Sequence, residues 1–171
     1  LWTRDIDCTV SAQLLQRMAE ETGVAPERLR AATLLPERNA MASGSAITPW
    51  LLALGIFHRK RKRHGLQYCP HCLLESGHFR RDWRFAFSVW CDAHHRALLD
   101  QCVSCATTVA PHRTWGNVTR CWKCTRSLTA AAASSLAPAA PPERAIALQR
   151  VLGEHMRVVV RVNDVGGADA S

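Results

Sequence analysis

The chain has 171 residues, 47% of them hydrophobic, with 22 Lys/Arg against 14 Asp/Glu and a formal net charge of +8. This supplies one modest core or two small ones and is too apolar for a disordered tail. No stretch reaches the roughly eighteen consecutive apolar residues of a membrane span, and the opening Leu1-Trp2-Thr3-Arg4-Asp5 lacks the charged start and apolar run of a secretory signal, which points to a reducing cytosol.

The charge is unevenly spread. Residues 1 to 55 hold five Lys/Arg against six acids, residues 56 to 96 nine against three, and residues 97 to 171 eight against five. Positive charge concentrated in the middle of a chain favours a polyanionic partner, nucleic acid first and acidic protein second.

In chain order, residues 10 to 22 space Val10, Leu14, Leu15, Met18 and Ala19 at intervals of three and four, which predicts an amphipathic helix with Ser11 as N-cap and Gly23 as its stop. A second short helix is expected from Pro26 to Leu34, with Pro26 in the first turn, where its missing N–H costs nothing. Ala19, Gly23, Val24 and Leu29 stand where a helix-turn-helix wants small, turn and apolar residues, a pattern that any packed helical hairpin also produces. After a small, polar stretch at 39 to 48, the segment 49 to 55 reads as a buried helical turn stopped by Gly55, with Trp50 in the core. His58-Arg59-Lys60-Arg61-Lys62-Arg63-His64 then places five consecutive cations just ahead of the first cysteine pair, denser than a solvated face requires.

Seven of the eight cysteines fall between residues 69 and 124. Cys69-Pro70-His71-Cys72 is followed by Cys91-Asp92-Ala93-His94, a C-x2-C and a C-x2-H. Cys102-Val103-Ser104-Cys105 is followed by Cys121-Trp122-Lys123-Cys124, a ribbon-type pair of C-x2-C motifs. A two-residue gap lets one tight turn aim two ligand atoms at one ion, and the intervening loop brings the second pair across to complete a tetrahedron. Two structural zinc ions are therefore expected, held by Cys69, Cys72, Cys91 and His94 and by Cys102, Cys105, Cys121 and Cys124, with Cys8 left over. His95 competes with His94 for the fourth place in the first site; His94 keeps the two-residue gap.

Four protein ligands leave no open position for water or substrate, which argues against a metalloenzyme. Glu75 lies downstream of the Pro-Cys pair, the wrong order for a zinc deaminase. An active dithiol at Cys69 and Cys72 would need a βαβ scaffold, and iron–sulfur ligation is a secondary use of the same residues.

Between the halves of the first site, residues 77 to 90 interleave aromatics with arginines, and part of the segment alternates like a strand. Trp83, Phe85, Phe87 and Trp90 read as the hydrophobic mass that small zinc modules lack. Arg80, Arg81 and Arg84 read as cations freer to meet phosphate. Beyond residue 124 an Ala/Ser/Pro-rich stretch ending at Pro142 reads as a linker, and helical spacing resumes from Glu143 to about Arg157, ahead of a frayed tail.

The fold expected is a small, zinc-stabilised α+β unit. It comprises a helical, helix-turn-helix-like segment over 1–57, a first zinc finger of three cysteines and one histidine with the basic run over 58–100, and a second, four-cysteine zinc ribbon over 101–128. A linker over 129–142 and a C-terminal helix and tail over 143–171 complete it. Tyr68-Cys69-Pro70-x-Cys72-Leu73, Phe79-Arg80-Arg81-Asp82-Trp83-Arg84, Cys91-x-x-His94 and Leu98-Leu99-x-x-Cys102-x-x-Cys105, with Arg4-Asp5-Ile6-Asp7 and Trp50-Leu51-Leu52-Ala53-Leu54-Gly55 upstream, resemble the TniQ family of transposition proteins, which includes TnsD.

The resemblance implies a non-enzymatic, bacterial, cytoplasmic selector of target sites. Such a protein recruits a AAA+ ATPase regulator, and through it a transposase, to target DNA; in CRISPR-associated transposons it docks instead on an RNA-guided effector and its guide RNA. No membrane or small-molecule substrate enters. It also carries the family's zinc ligands onto the eight positions named above. The nucleic-acid face would comprise Arg59, Lys60, Arg61, Lys62, Arg63, Arg80, Arg81 and Arg84. The competing reading is a stand-alone DNA-binding regulator that uses residues 11 to 34 as its reader.

Overall fold

The computed structural model describes residues 5–41, 50–52, 66–114, 116–132 and 139–166, the last segment with side chains up to Val158. The basic run His58 to His64 lies outside the described residues.

The N-terminal part is helical, as its periodicity predicts. A single turn, α1 (Ile6–Thr9), leads into α2 (Ala12–Thr22). Ser11 caps α2 by accepting a hydrogen bond from the Leu14 amide at 3.2 Å. Gly23 ends it in the left-handed region at φ 67°, its N–H returning to the Ala19 carbonyl at 2.8 Å. α3 (Pro26–Ala32) carries Pro26 in its first turn, buries no residue, and packs on both α2 and α4, so the hairpin is a thin element joined to the rest through α3. α4 (Leu35–Met41) follows at once and runs into the small, polar stretch from 39 that carries no helical signal; the Thr33 hydroxyl accepts from the Leu35 amide at its start.

Cys8, Leu34, Leu51 and Phe85 form a small core beneath these helices, flanked by Met41 and Phe87. The segment at 50 corrects its sequence reading. Leu51, not Trp50, is the buried residue, and it pairs in an antiparallel bridge with Phe85 in place of a helical turn. Trp50 is 48% exposed and tilts against Phe87 at 6.3 Å.

The larger core is built around the cysteines. Leu66, Tyr68, Leu73, Trp83, Val109 and Leu128 pack with Cys69, Cys72, Cys91, Cys102 and Cys121, so both quartets share one apolar interior. Tyr68, with no exposed surface, exchanges backbone hydrogen bonds with Leu99 at 2.8 Å in each direction, and the Leu66 amide donates to the Val109 carbonyl. The chain entering the first quartet is thereby stitched to the chain leading into the second.

α5 (Pro70–Ser76) starts at the first cysteine pair and closes on Gly77. The alternation read over 77 to 90 resolves into a 3-10 turn, Arg81–Arg84, and a two-residue strand β1 (Trp90–Cys91) paired antiparallel with β2 (Arg96–Ala97). Trp83 and Phe85 are buried, as small modules short of apolar mass require.

Two C-terminal expectations change. The stretch read as linker begins with a 3-10 helix, Leu128–Ala132, that buries Leu128 and Ala131 and packs on α5. The final helix, α6 (Glu143–Gly166), extends beyond the expected end near Arg157 and packs against α4. Gln149 fastens α6 to the small sheet. Its side-chain oxygen accepts from the amides of Val89 and Trp90 at 2.6 and 2.8 Å, and its nitrogen donates to the Trp90 carbonyl at 2.9 Å. A side-chain amide thus satisfies backbone groups at a strand edge that would otherwise lack partners.

Candidate metal centres

The two quartets assemble as the spacing predicts. Cys69, Cys72, Cys91 and His94 form one group, and Cys102, Cys105, Cys121 and Cys124 another; within each, the four ligand atoms lie inside 4.8 Å of one another. Cys72 Sγ stands 3.6 Å from Cys91 Sγ, and the Sγ pairs Cys102–Cys124 and Cys105–Cys121 are each 3.7 Å apart. A tetrahedron with metal–sulfur bonds of about 2.3 Å has edges of about 3.8 Å, so the thiols stand where one ion could be held by all four. His94 Nδ1 lies 3.6, 3.3 and 3.6 Å from the sulfurs of Cys69, Cys72 and Cys91, the somewhat shorter edge that a metal–nitrogen bond of about 2.0 Å demands.

Local backbone geometry brings each pair together. Cys69 stands at the N-cap of α5 and Cys72 in its first turn. The other three pairs are tight turns that end with the following residue in the left-handed region: His95 at φ 45°, Ala106 at 53° and Thr125 at 61°. These are the described non-glycine residues with positive φ, and each directly follows the second ligand of its pair. At both turns of the four-cysteine quartet the carbonyl of the first cysteine accepts from that residue's amide: Ala106 to Cys102 at 2.8 Å and Thr125 to Cys121 at 2.9 Å. Such conformations cost about 1–3 kcal/mol each and persist only where the surroundings over-determine them, here by the convergence of ligands. His95 occupies one of these positions, and His94 is the imidazole the fold brings to the first site.

Burial pushes the thiols of Cys72 and Cys121 up to about 12, while the Arg126 backbone N–H draws Cys124 down to about 7. Ionising the buried thiols therefore requires a compensating cation, and metal uptake must release protons and weaken as pH falls. Cys8 sits apart from both quartets, its thiol pushed up to about 11 by burial and then by Asp5.

Glu75 is a residue whose role the spacing does not announce. Its Oε1 lies 2.9 Å from His94 Nε2, so the imidazole offers Nδ1 to the sulfurs while the carboxylate holds the opposite nitrogen. That arrangement fixes the tautomer and raises ligand basicity. Its signal in sequence is a glutamate three residues beyond Cys72, one helical turn along α5. Replacing Glu75 with alanine is expected to weaken metal binding at the first centre by about 10- to 100-fold and leave the second unchanged, read by competition with a chromogenic chelator.

The arginines expected to meet phosphate are placed differently. Arg84 is buried, and its presence among the free cations is corrected. Its guanidinium donates to the Leu52 carbonyl at 3.0 Å, to Asp7 at 2.8 Å and to both carboxylate oxygens of Asp5, with the Cys8 sulfur at 3.8 Å. Arg81 pairs with the buried Glu37 and donates to the Ala31 carbonyl at 2.8 Å. Arg80 is half-exposed and pairs with Asp82 at 3.2 Å. Arg59, Lys60, Arg61, Lys62 and Arg63 lie outside the described residues.

With this geometry in place, the family comparison is decisive: the TniQ family model matches residues 1–98 of the 171. The chain belongs to the TniQ family. The matched part of this TniQ chain contains the Asp5–Asp7–Arg84 lock and the whole quartet of Cys69, Cys72, Cys91 and His94, whereas the four-cysteine quartet lies beyond it. Membership implies a transposition-associated role in DNA targeting. No curated protein matches the chain closely enough to count as a relative. Among the described residues, no helix is long and apolar enough to cross a membrane.

Proposed function

We propose that this TniQ chain is a non-enzymatic adaptor for target-site selection in DNA transposition, with both quartets holding structural zinc. It recruits a AAA+ ATPase regulator, and through it a transposase, to target DNA, either directly or through an RNA-guided effector and its guide RNA. The family match over residues 1–98 carries the reading. The chemistry of the two quartets supports it: each offers four protein ligands to one ion, which closes a tetrahedral sphere and leaves a scaffold role in place of a catalytic one. All-thiolate and thiolate–imidazole tetrahedra are the donor sets that structural zinc prefers. Arg59 to Arg63 supply contacts to nucleic-acid backbone, and half-exposed Arg80 and Arg81 add to them.

Co-purification of the zinc-loaded chain with the AAA+ ATPase of its own element, in the presence of duplex DNA, tests this reading. A specific complex that is lost after chelation of the metal is the expected result; no complex under any nucleotide condition would refute it. A stand-alone regulator is the alternative. It draws on the α2–α3 hairpin, whose second helix leaves Arg28 and Arg30 exposed, and it requires tight, sequence-selective duplex binding by the chain alone.

A further inference from the structure

The four-cysteine module, which lies outside the family match, is the second acid-free, basic stretch of the chain, after residues 38 to 74. From residue 101 to residue 142 there is no Asp or Glu, while Arg113, Arg120, Lys123 and Arg126 are among its described residues. All four are exposed, and none forms an ion pair with another described residue. Four described arginines elsewhere are matched to carboxylates, Arg80 to Asp82, Arg81 to Glu37, Arg84 to Asp5 and Asp7, and Arg150 to Asp92, while exposed Arg17, Arg28 and Arg30 form no ion pair with another described residue.

The four cations are held on one small frame. Arg120, Lys123 and Arg126 belong to the turn that carries Cys121 and Cys124, closed by the antiparallel bridge between Arg120 and Ser127. Arg113 is brought onto the same turn by stacking over the Trp122 ring at 3.8 Å. The indole is itself fixed, its Nε1–H donating to the Thr108 carbonyl at 3.0 Å. Arg120 is steadied by donating to the Thr125 carbonyl at 3.2 Å. A divalent ion bound by four thiolates carries a net charge of about −2, so four cations more than offset the centre and leave a positive surface on a segment that carries no acid of its own.

We propose that this turn, Arg113, Arg120, Lys123 and Arg126 around Trp122, is a nucleic-acid backbone-binding surface in its own right, separate from the basic run at 59 to 63. Planar guanidinium forks match phosphate oxygens bidentately, and the DNA-targeting role that family membership implies favours a nucleic-acid backbone over an acidic protein segment. The choice of nucleic acid over an acidic protein segment rests on the DNA-associated reading above.

The test titrates the full zinc-loaded chain against a fluorescent duplex of random sequence over a salt series from about 50 to 200 mM. The triple variant Arg120→Ala/Lys123→Ala/Arg126→Ala should lower the slope of log affinity against log salt by about 3, one for each phosphate left without its cation, whereas Arg120→Lys/Arg126→Lys should keep it. An unchanged slope in a triple variant that retains both metal ions overturns the proposal. Loss of binding to polyglutamate with duplex binding intact overturns it equally, in favour of an acidic protein. If the triple variant sheds metal, amine labelling of the unaltered chain decides: protection of Lys123 by duplex supports the surface, and equal labelling with and without duplex rejects it. Recruitment of the ATPase is a separate readout, so failure of the adaptor reading would not be mistaken for failure of this one.

Discussion

Replacing Cys102 with serine is expected to release one of two metal ions and to melt the four-cysteine module cooperatively with much of the larger core. Cys102 is 1% exposed, and its sulfur lies 3.7 Å from that of Cys124. Serine in its place leaves three thiols that no longer close a tetrahedron. Structural zinc contributes about 10 kcal/mol or more of apparent folding free energy in finger peptides, comparable with the entire stability of a typical domain. The loss would not stay local. Cys102, Cys121 and Val109 pack in the same interior as Tyr68, Leu73 and Trp83, and the Leu66–Val109 and Tyr68–Leu99 hydrogen bonds cross between the halves. Elemental analysis should fall from two metal ions to one, with a large drop in melting temperature. Two ions and an unchanged melting curve would show that Cys102 is not a ligand. Cys8→Ser serves as the control and should keep both ions, since Cys8 faces Arg84 and neither quartet.

Arg84→Met is expected to be the most destabilising substitution away from the metal centres. Arg84 is 3% exposed and its guanidinium is shared among Asp5, Asp7 and the Leu52 carbonyl, so it ties the start of the helical part, the segment at 50 and the 3-10 turn into one joint. Removing the cation takes from the largely buried Asp5 carboxylate its Arg84 partner, and breaking a buried pair from one side costs about 3–5 kcal/mol. Asp7 is half-exposed and can turn to water, which limits its share. Chemical denaturation should show the loss with both metal ions retained. A change below about 1 kcal/mol would mean that the joint contributes no more than a surface pair.

Features encoded by local spacing are legible in the chain itself. The eight ligands sit in two-residue pairs, and a tight turn fixes their geometry without help from distant residues, so the quartets are visible ahead of any fold. The same holds for α2, whose cap at Ser11 and stop at Gly23 are local chemistry. Residues defined by distant partners are not visible in this way. Arg84 reads as one more cation in a basic stretch, because its acids lie 77 and 79 positions away. Trp50 reads as core and Leu51 as its neighbour; a bridge to Phe85 decides which of two adjacent apolar side chains turns inward. The Leu128–Ala132 helix looks like linker by composition, yet small residues are what a close approach to α5 requires. Gln149 carries no signal at all, since its function is to complete a strand edge formed about sixty residues earlier.

The most direct test of the central claim is metal stoichiometry on the unaltered chain, purified without added metal, by X-ray emission with sulfur as the internal standard. Eight cysteines and three methionines provide eleven sulfur atoms per chain. Two zinc atoms for every eleven sulfurs is the predicted result, and it would place this TniQ chain among scaffolds built by two closed zinc centres. One zinc or none, or iron in its place, would contradict that account and return the Cys69–Cys72 pair to a redox reading.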